Sequence, residues 1–200
     1  SVAVLNQCYS TRGLTVVAAN NIASTLWNLF SVCFISLGSA TGIIIGQMLG
    51  AGKPADEVRD CDRKLIAFSV TSCAVFGIAM AAVSGVFPLI YKTDNSVRSL
   101  ATAFICINAV IMPFNAYANA AYFTLRSGGK TLSTLLFDSC FVWVVSVPVA
   151  YTLSRFTGIA ILPLYAVCQS AEILKCVIGY IMLRRGSWIK NIVQTHPDAE

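Results

Sequence analysis

Charged side chains are scarce in this chain. Asp and Glu number 9 and Lys and Arg 14 among 200 residues, or 12%, where soluble domains carry about 25%. That deficit excludes an ordinary water-facing globular surface. Histidine is rarer still: His196 stands alone in a polar tail with Pro197, Asp198 and Glu200, so neither a His/Cys metal cluster nor a histidine base is available in the apolar part. A P-loop, HExxH, GxSxG and a Gly-rich dinucleotide fingerprint are all missing from the sequence, which argues against ATP hydrolysis. Cysteine is not scarce, at 8 residues, but Cys33, Cys73, Cys106, Cys140, Cys168 and Cys176 lie in apolar runs without CxxC spacing and read as small core hydrophobes. The net charge of +5 comes from basic residues scattered between apolar runs. That pattern does not make a nucleic-acid footprint, and no nucleic-acid partner is expected.

What is abundant is apolar. The chain is 56% hydrophobic with a mean hydropathy of +0.73. Residues without charge run unbroken from Gly13 to Gly52, Leu65 to Tyr91 and Ser99 to Leu125, and again from Ser139 to Ser154 and Phe156 to Ala171. The first three runs each exceed the roughly 20 residues needed to cross a bilayer. Taking the runs as helices and polar clusters as turns predicts an all-α polytopic membrane bundle with spans near 17–49, 63–87, 99–125, 131–154 and 159–183. The chain opens at Ser1 without methionine, and its apolar first residues 1–10 are expected to be the tail of a further, partial span. Turn residues separate the spans: Gly50, Gly52 and Pro54, then Thr93, Asp94 and Asn95, then Ser127, Gly128 and Gly129, then Thr157 and Gly158. Residues 1–190 form one transmembrane lobe and residues 191–200 a polar tail.

Orientation follows from alternate loops. Lys53, Arg59, Arg63, Lys64, Arg126, Lys130, Arg184, Arg185 and Lys190 fall on one side; Arg12, Lys92, Arg98 and Arg155 fall on the other. Cytoplasmic loops are enriched in Lys and Arg, so the first side and the C-terminus are expected inside, with Trp188 as an interfacial anchor.

Polar residues within the spans are the candidates for function. Asn21, Ser24, Asn28 and Ser31 share a helical face of the first full span; lining a cavity and bonding between helices are both open to them. Gly38, Gly42, Gly46 and Gly50 recur every four residues and read as a packing seam. Asn108, Asn115, Asn119 and Tyr122 share a face of the third span around Pro113. Proline deprives the carbonyl of Ala109 of its hydrogen bond and bends the helix, which serves either a binding site and hinge or a kinked structural helix glued by amides. Asp138 lies eight residues beyond Lys130. A carboxylate at that depth suits a cation or proton, or else a salt bridge to Arg126 or Lys130. Tyr165, Gln169, Glu172 and Gly179 share a face of the last span; Glu172 can pair with Lys175 three residues on, or serve a coupling ion.

Several stretches together resemble a known family. Ala18-Ala19-Asn20-Asn21-Ile22-Ala23, Gly46-Gln47-Met48-Leu49-Gly50-Ala51-Gly52-Lys53, Phe123-Thr124-Leu125-Arg126-Ser127-Gly128-Gly129-Lys130-Thr131, Val147-Pro148-Val149-Ala150-Tyr151 and Arg185-Gly186-Ser187-Trp188 are similar, in order and spacing, to the C-terminal half of a MATE (multidrug and toxic compound extrusion) transporter. The resemblance implies a twelve-span fold of two six-helix lobes, of which this chain holds the end of the seventh span and spans eight to twelve. It implies antiport in a prokaryotic inner membrane, with Na+ or H+ as coupling ion, no other cofactor, and export of cationic drugs by alternating access. The partners implied are the lipid bilayer, the N-terminal lobe of the same transporter and a small-molecule substrate. The cavity would be lined by Asn21, Asn28, Asn108, Asn115, Asn119 and Tyr122, with Pro113 as hinge. Sodium-coupled relatives carry an aspartate where this chain has Asn115, so an acidic coupling role in this lobe would pass to Asp138 or Glu172.

Other classes fit less well. A flippase for a lipid-linked saccharide or related amphiphile would want more inward Arg and Lys. A membrane-embedded enzyme would need nucleophile, base and oxyanion donors at one depth, and Asp138, Glu172 and Lys175 are spread apart without a histidine. A purely structural subunit would use the glycine row alone.

Overall fold

The structure is a computed structural model that describes residues 13–129, 134, 141–156, 160–186 and 188–189. Every regular element among the described residues is helical: α1 (Leu14–Gly50), α2 (Ala55–Val83), a 3₁₀ turn (Phe87–Ile90), α3 (Asn95–Ser127), a π turn (Val142–Ser146) running into α4 (Val147–Phe156), and α5 (Ile161–Arg185). Four of them, α1, α2, α3 and α5, are long and apolar enough to cross a membrane. The expected span 131–154 lies partly outside the described residues, and residues 1–10 and the tail 191–200 lie wholly outside them.

Helix ends follow local chemistry more closely than charge. α1 closes where Gly52 turns to φ +67 and its amide and that of Lys53 bond back to the carbonyls of Leu49 and Met48. Only glycine adopts that φ cheaply. α2 begins at Ala55, eight residues before the predicted start of the span at 63. The reason is that the charged stretch is itself helical: Lys53 pairs with Glu57 at 3.3 Å and Asp60 with Lys64 at 2.6 Å, each at i,i+4, and Asp56 and Glu57 in the first turn complement the positive end of the helix dipole. Charge marks the membrane boundary, whereas helix propensity continues past it. α4 is preceded by the π turn because Pro148 has no N–H to give to the preceding turn. α5 stops at Gly186, in the left-handed region at φ +64, with the Arg59 side chain set against the face where a Cβ would project.

α3 is the hub: it packs along α1, α2 and α5. The principal core joins Ala19, Leu26, Met80, Ala101, Phe104, Leu164 and Tyr165 from all four long helices. Outward, Leu29, Val32, Phe68, Val75, Ile78 and Val110 are exposed, a surface stable only against lipid or another apolar body. Lipid supplies no hydrophobic drive between helices, so close fit does the work. The first glycines of the row deliver it: a Cβ on Gly38 or Gly42 would lie 3.0 Å from Phe123, and the Ser127 hydroxyl donates to the Gly42 carbonyl at 2.6 Å. Gly46 faces Ser127 more loosely, and Gly50 faces open space. Gly77 does the same for α2. A Cβ there would sit 2.7 Å from the Ala109 carbonyl oxygen, the oxygen that Pro113 leaves without its helical donor.

A second cluster closes one end of the bundle. Ile45 and Leu49, Val58, Leu125, Trp188 and Ile189 pack together, and the Trp188 indole donates to the Leu183 carbonyl at 3.3 Å. Trp188 is 1% exposed, so it is a buried plug and not the interfacial anchor that its position in the sequence suggests. Gly128 admits it: a Cβ at Gly128 would lie 2.7 Å from the Trp188 carbonyl oxygen.

Candidate functional site

Asn115, Asn119 and Tyr122 project from α3 at successive helical turns into a cleft of about 360 Å³, within the range of small-molecule sites. Ile35 of α1 and Glu172 and Lys175 of α5 complete its walls, with Ala118 and Phe123 beside the amides. Asn119 Nδ2 donates to the Asn115 carbonyl at 3.0 Å, and Asn115 Nδ2 points at the Ile111 carbonyl at 3.5 Å. A carbonyl can only accept, so the amide nitrogens face the helix, and the side-chain oxygens are left as acceptors. Glu172 Oε1 lies 3.2 Å from Lys175 Nζ, and the ammonium also sits 5.6 Å from the centre of the Phe141 ring. The Tyr122 and Phe123 rings meet edge to face, centroids 5.4 Å apart. Acceptor oxygens, a carboxylate held by a neighbouring ammonium and an aromatic wall are the groups that hold an amphiphilic cation.

Of the remaining sequence candidates, Glu172 alone among the described residues joins the cleft. Asn108 is buried outside the cleft, where its Oδ1 accepts from the Tyr165 hydroxyl at 2.9 Å and from Gln169 Nε2 at 2.7 Å, bracing α3 against α5. The Tyr165 ring stacks on Phe104 at 4.2 Å in the same brace. Asn21 and Asn28 are exposed on α1 and do not line this cleft; Ile35, seven residues beyond Asn28 along that face, does. Pro113 sits within α3 between the brace and the cleft. Glu172 is in the cleft. Asp138 lies outside the described residues.

One buried carboxylate escaped the sequence reading. Asp62, 5% exposed, accepts a 2.6 Å hydrogen bond from the Thr124 hydroxyl and ties α2 to α3. It reads as loop charge between Arg59 and Arg63, yet the buried face of α2 runs Val58, Asp62, Ile66, Ser69, Cys73, Gly77, Met80. Its phase in that stripe was the signal.

The family model described as MatE matches residues 3–152. The chain belongs to the MatE family. Among relatives, the MatE chain is 27% identical over 147 residues to the probable multidrug resistance protein NorM of Mannheimia succiniciproducens, covering 73% of this chain and 31% of that protein. It is 26% identical over 152 residues to the multidrug resistance protein MdtK of Edwardsiella ictaluri, covering 76% and 33%, and 28% identical over 144 residues to the multidrug resistance protein PmpM of Pseudomonas aeruginosa, covering 69% and 29%. The matched stretch thus spans about a third of the length of these relatives. No solved structure matches the chain. The MatE chain is a membrane protein, all-helical among the described residues, and three of the five segments that carried the family resemblance meet in space: Leu49, Leu125 and Trp188 stand in the cluster that closes the bundle end.

Proposed function

We propose that this chain is the C-terminal lobe of a twelve-span antiporter that exports drugs or other organic cations in exchange for Na+ or H+. Its other lobe packs across the exposed polar face of α1 that carries Asn21 and Asn28. Alternating access between the lobes moves the substrate, and coupling requires that the ion favour one conformation over the other. The bundle end with Trp188 lies in the cytoplasm, as the distribution of Lys and Arg over the loops favours. The cleft of Asn115, Asn119, Tyr122 and Glu172 is this lobe's share of the substrate path. The observation that carries the reading is that these polar groups, the most costly to hold in a membrane, gather around one cleft rather than pairing among themselves across helices.

The test is accumulation of ethidium, an aromatic cation, in bacteria stripped of their own efflux pumps and expressing the full-length gene product. Lower accumulation that rises again when the Na+ or proton gradient is collapsed is expected. Accumulation unchanged by expression of the folded protein overturns the reading. Asp138→Asn and Glu172→Gln variants then assign the coupling role, and ion-coupled export intact in both would remove it from this lobe.

A further inference from the structure

The sealed end of the bundle carries a second cleft, of about 500 Å³, whose chemistry is opposite to that of the first. Arg59 and Arg63, one turn apart near the start of α2, and Arg184, in the last turn of α5, all line it. These three are brought together from positions about 120 residues apart in the sequence. Cations nearby on the same helix end are neutralised: Lys53 by Glu57 and Lys64 by Asp60. By contrast, among the described residues no carboxylate lies within ion-pair distance of Arg59, Arg63 or Arg184. The cleft's acid, Asp62, accepts at Oδ1 from the Thr124 hydroxyl, and three guanidiniums against one carboxylate leave an excess of two positive charges. Tyr117 and Tyr180 add phenol groups to the lining. From Arg184 an exposed apolar stripe, Ile181 and Val177, runs along the same face of α5 toward the middle of the helix.

We infer that this cleft binds the phosphate headgroup of an anionic phospholipid, with its acyl chains lying along Val177 and Ile181 of α5. Arginine matches phosphate oxygens in a fork, unlike the point charge of lysine, and a basic pocket between helices at the cytoplasmic boundary faces the leaflet that holds anionic lipid. The aromatic and apolar lining suits the glycerol region just below a headgroup. The orientation proposed above fixes only which leaflet is read; the site itself stands whether or not the protein exports drugs.

Native mass spectrometry of the purified protein tests it, with equal phosphatidylglycerol and phosphatidylcholine added in detergent. Retention of phosphatidylglycerol in preference to phosphatidylcholine is expected. Arg63→Gln with Arg184→Gln should weaken that preference about 25-fold, about fivefold for each guanidinium removed near the membrane surface, while the thermal unfolding midpoint holds. Lys53→Gln with Lys64→Gln removes the same charge outside the cleft and should leave the preference unchanged. Equal retention of the two lipids, or equal loss from both double variants, overturns the proposal. Displacement of phosphatidylglycerol by millimolar inorganic phosphate overturns the lipid assignment in favour of a free anion.

Discussion

The two clefts and the regions they occupy are built on different principles. At the Trp188 end, chemistry is spent on closure: a buried indole, a glycine that admits it and a buried hydrogen bond from Thr124 to Asp62 lock α1, α2, α3 and α5 together. Midway along α3 the same helix presents amide oxygens and a tyrosine to an open space of about 360 Å³. Residues of the first kind are expected to report on folding, and those of the second on ligand. Sequence motifs that identify a family thus need not mark where it binds: Leu49, Leu125 and Trp188 sit within motif segments, yet their contacts are structural.

The contrast can be broken by substitution, starting where the effect is greatest. Trp188→Ala empties the end cluster and should cost about 3–5 kcal/mol, read as a lower midpoint of thermal unfolding in detergent; a small loss would mean that the end is not a unit. Thr124→Val leaves the Asp62 carboxylate buried without its donor and should cost about 1.5–3 kcal/mol. Asp62→Ala combined with Thr124→Val should be less than additive, because each removes one partner of the same hydrogen bond. Gly42→Leu drives a side chain into Phe123 and Ser127, for about 1–3 kcal/mol, and additivity with Trp188→Ala would separate the seam from the plug. Asn119→Ala should change stability least, by about 0.5 kcal/mol, yet lower ethidium export by the full-length protein. Asn119→Ala that unfolds the protein, or that leaves export untouched, would erase the distinction between the two regions.

Much of the architecture was readable from the sequence because membrane spans advertise themselves. Gly13 to Gly52 and Ser99 to Leu125 contain no charge, and α1 and α3 occupy them. The start of α2 was less legible. Glu57 and Lys64 each find a partner one helical turn away, so polar sequence continued as helix where a loop was expected. For the site, the spacing of Asn115, Asn119 and Tyr122 placed them on one face correctly, but spacing along one helix cannot say what stands opposite. Asn108 shares their face and is met by Tyr165 and Gln169, whereas Asn115 and Asn119, two and three turns on, meet open space. Asp62 went unnoticed among flanking charges and Trp188 was expected at the interface because it lies just beyond the last span; tertiary packing buries both.

The length of α1 has a mechanical consequence. Its 37 residues extend about 55 Å at 1.5 Å per residue, against a hydrocarbon layer of about 30 Å, and tilt alone does not absorb such an excess. The rod therefore projects beyond the oil on at least one side, and a pivot of about 10° at mid-membrane swings a tip about 28 Å away through about 5 Å. A small rotation at mid-membrane becomes, at either end of α1, a displacement nearly as large as a helical turn is tall. Leverage of that kind makes the thickness of the surrounding bilayer an input to whatever α1 moves.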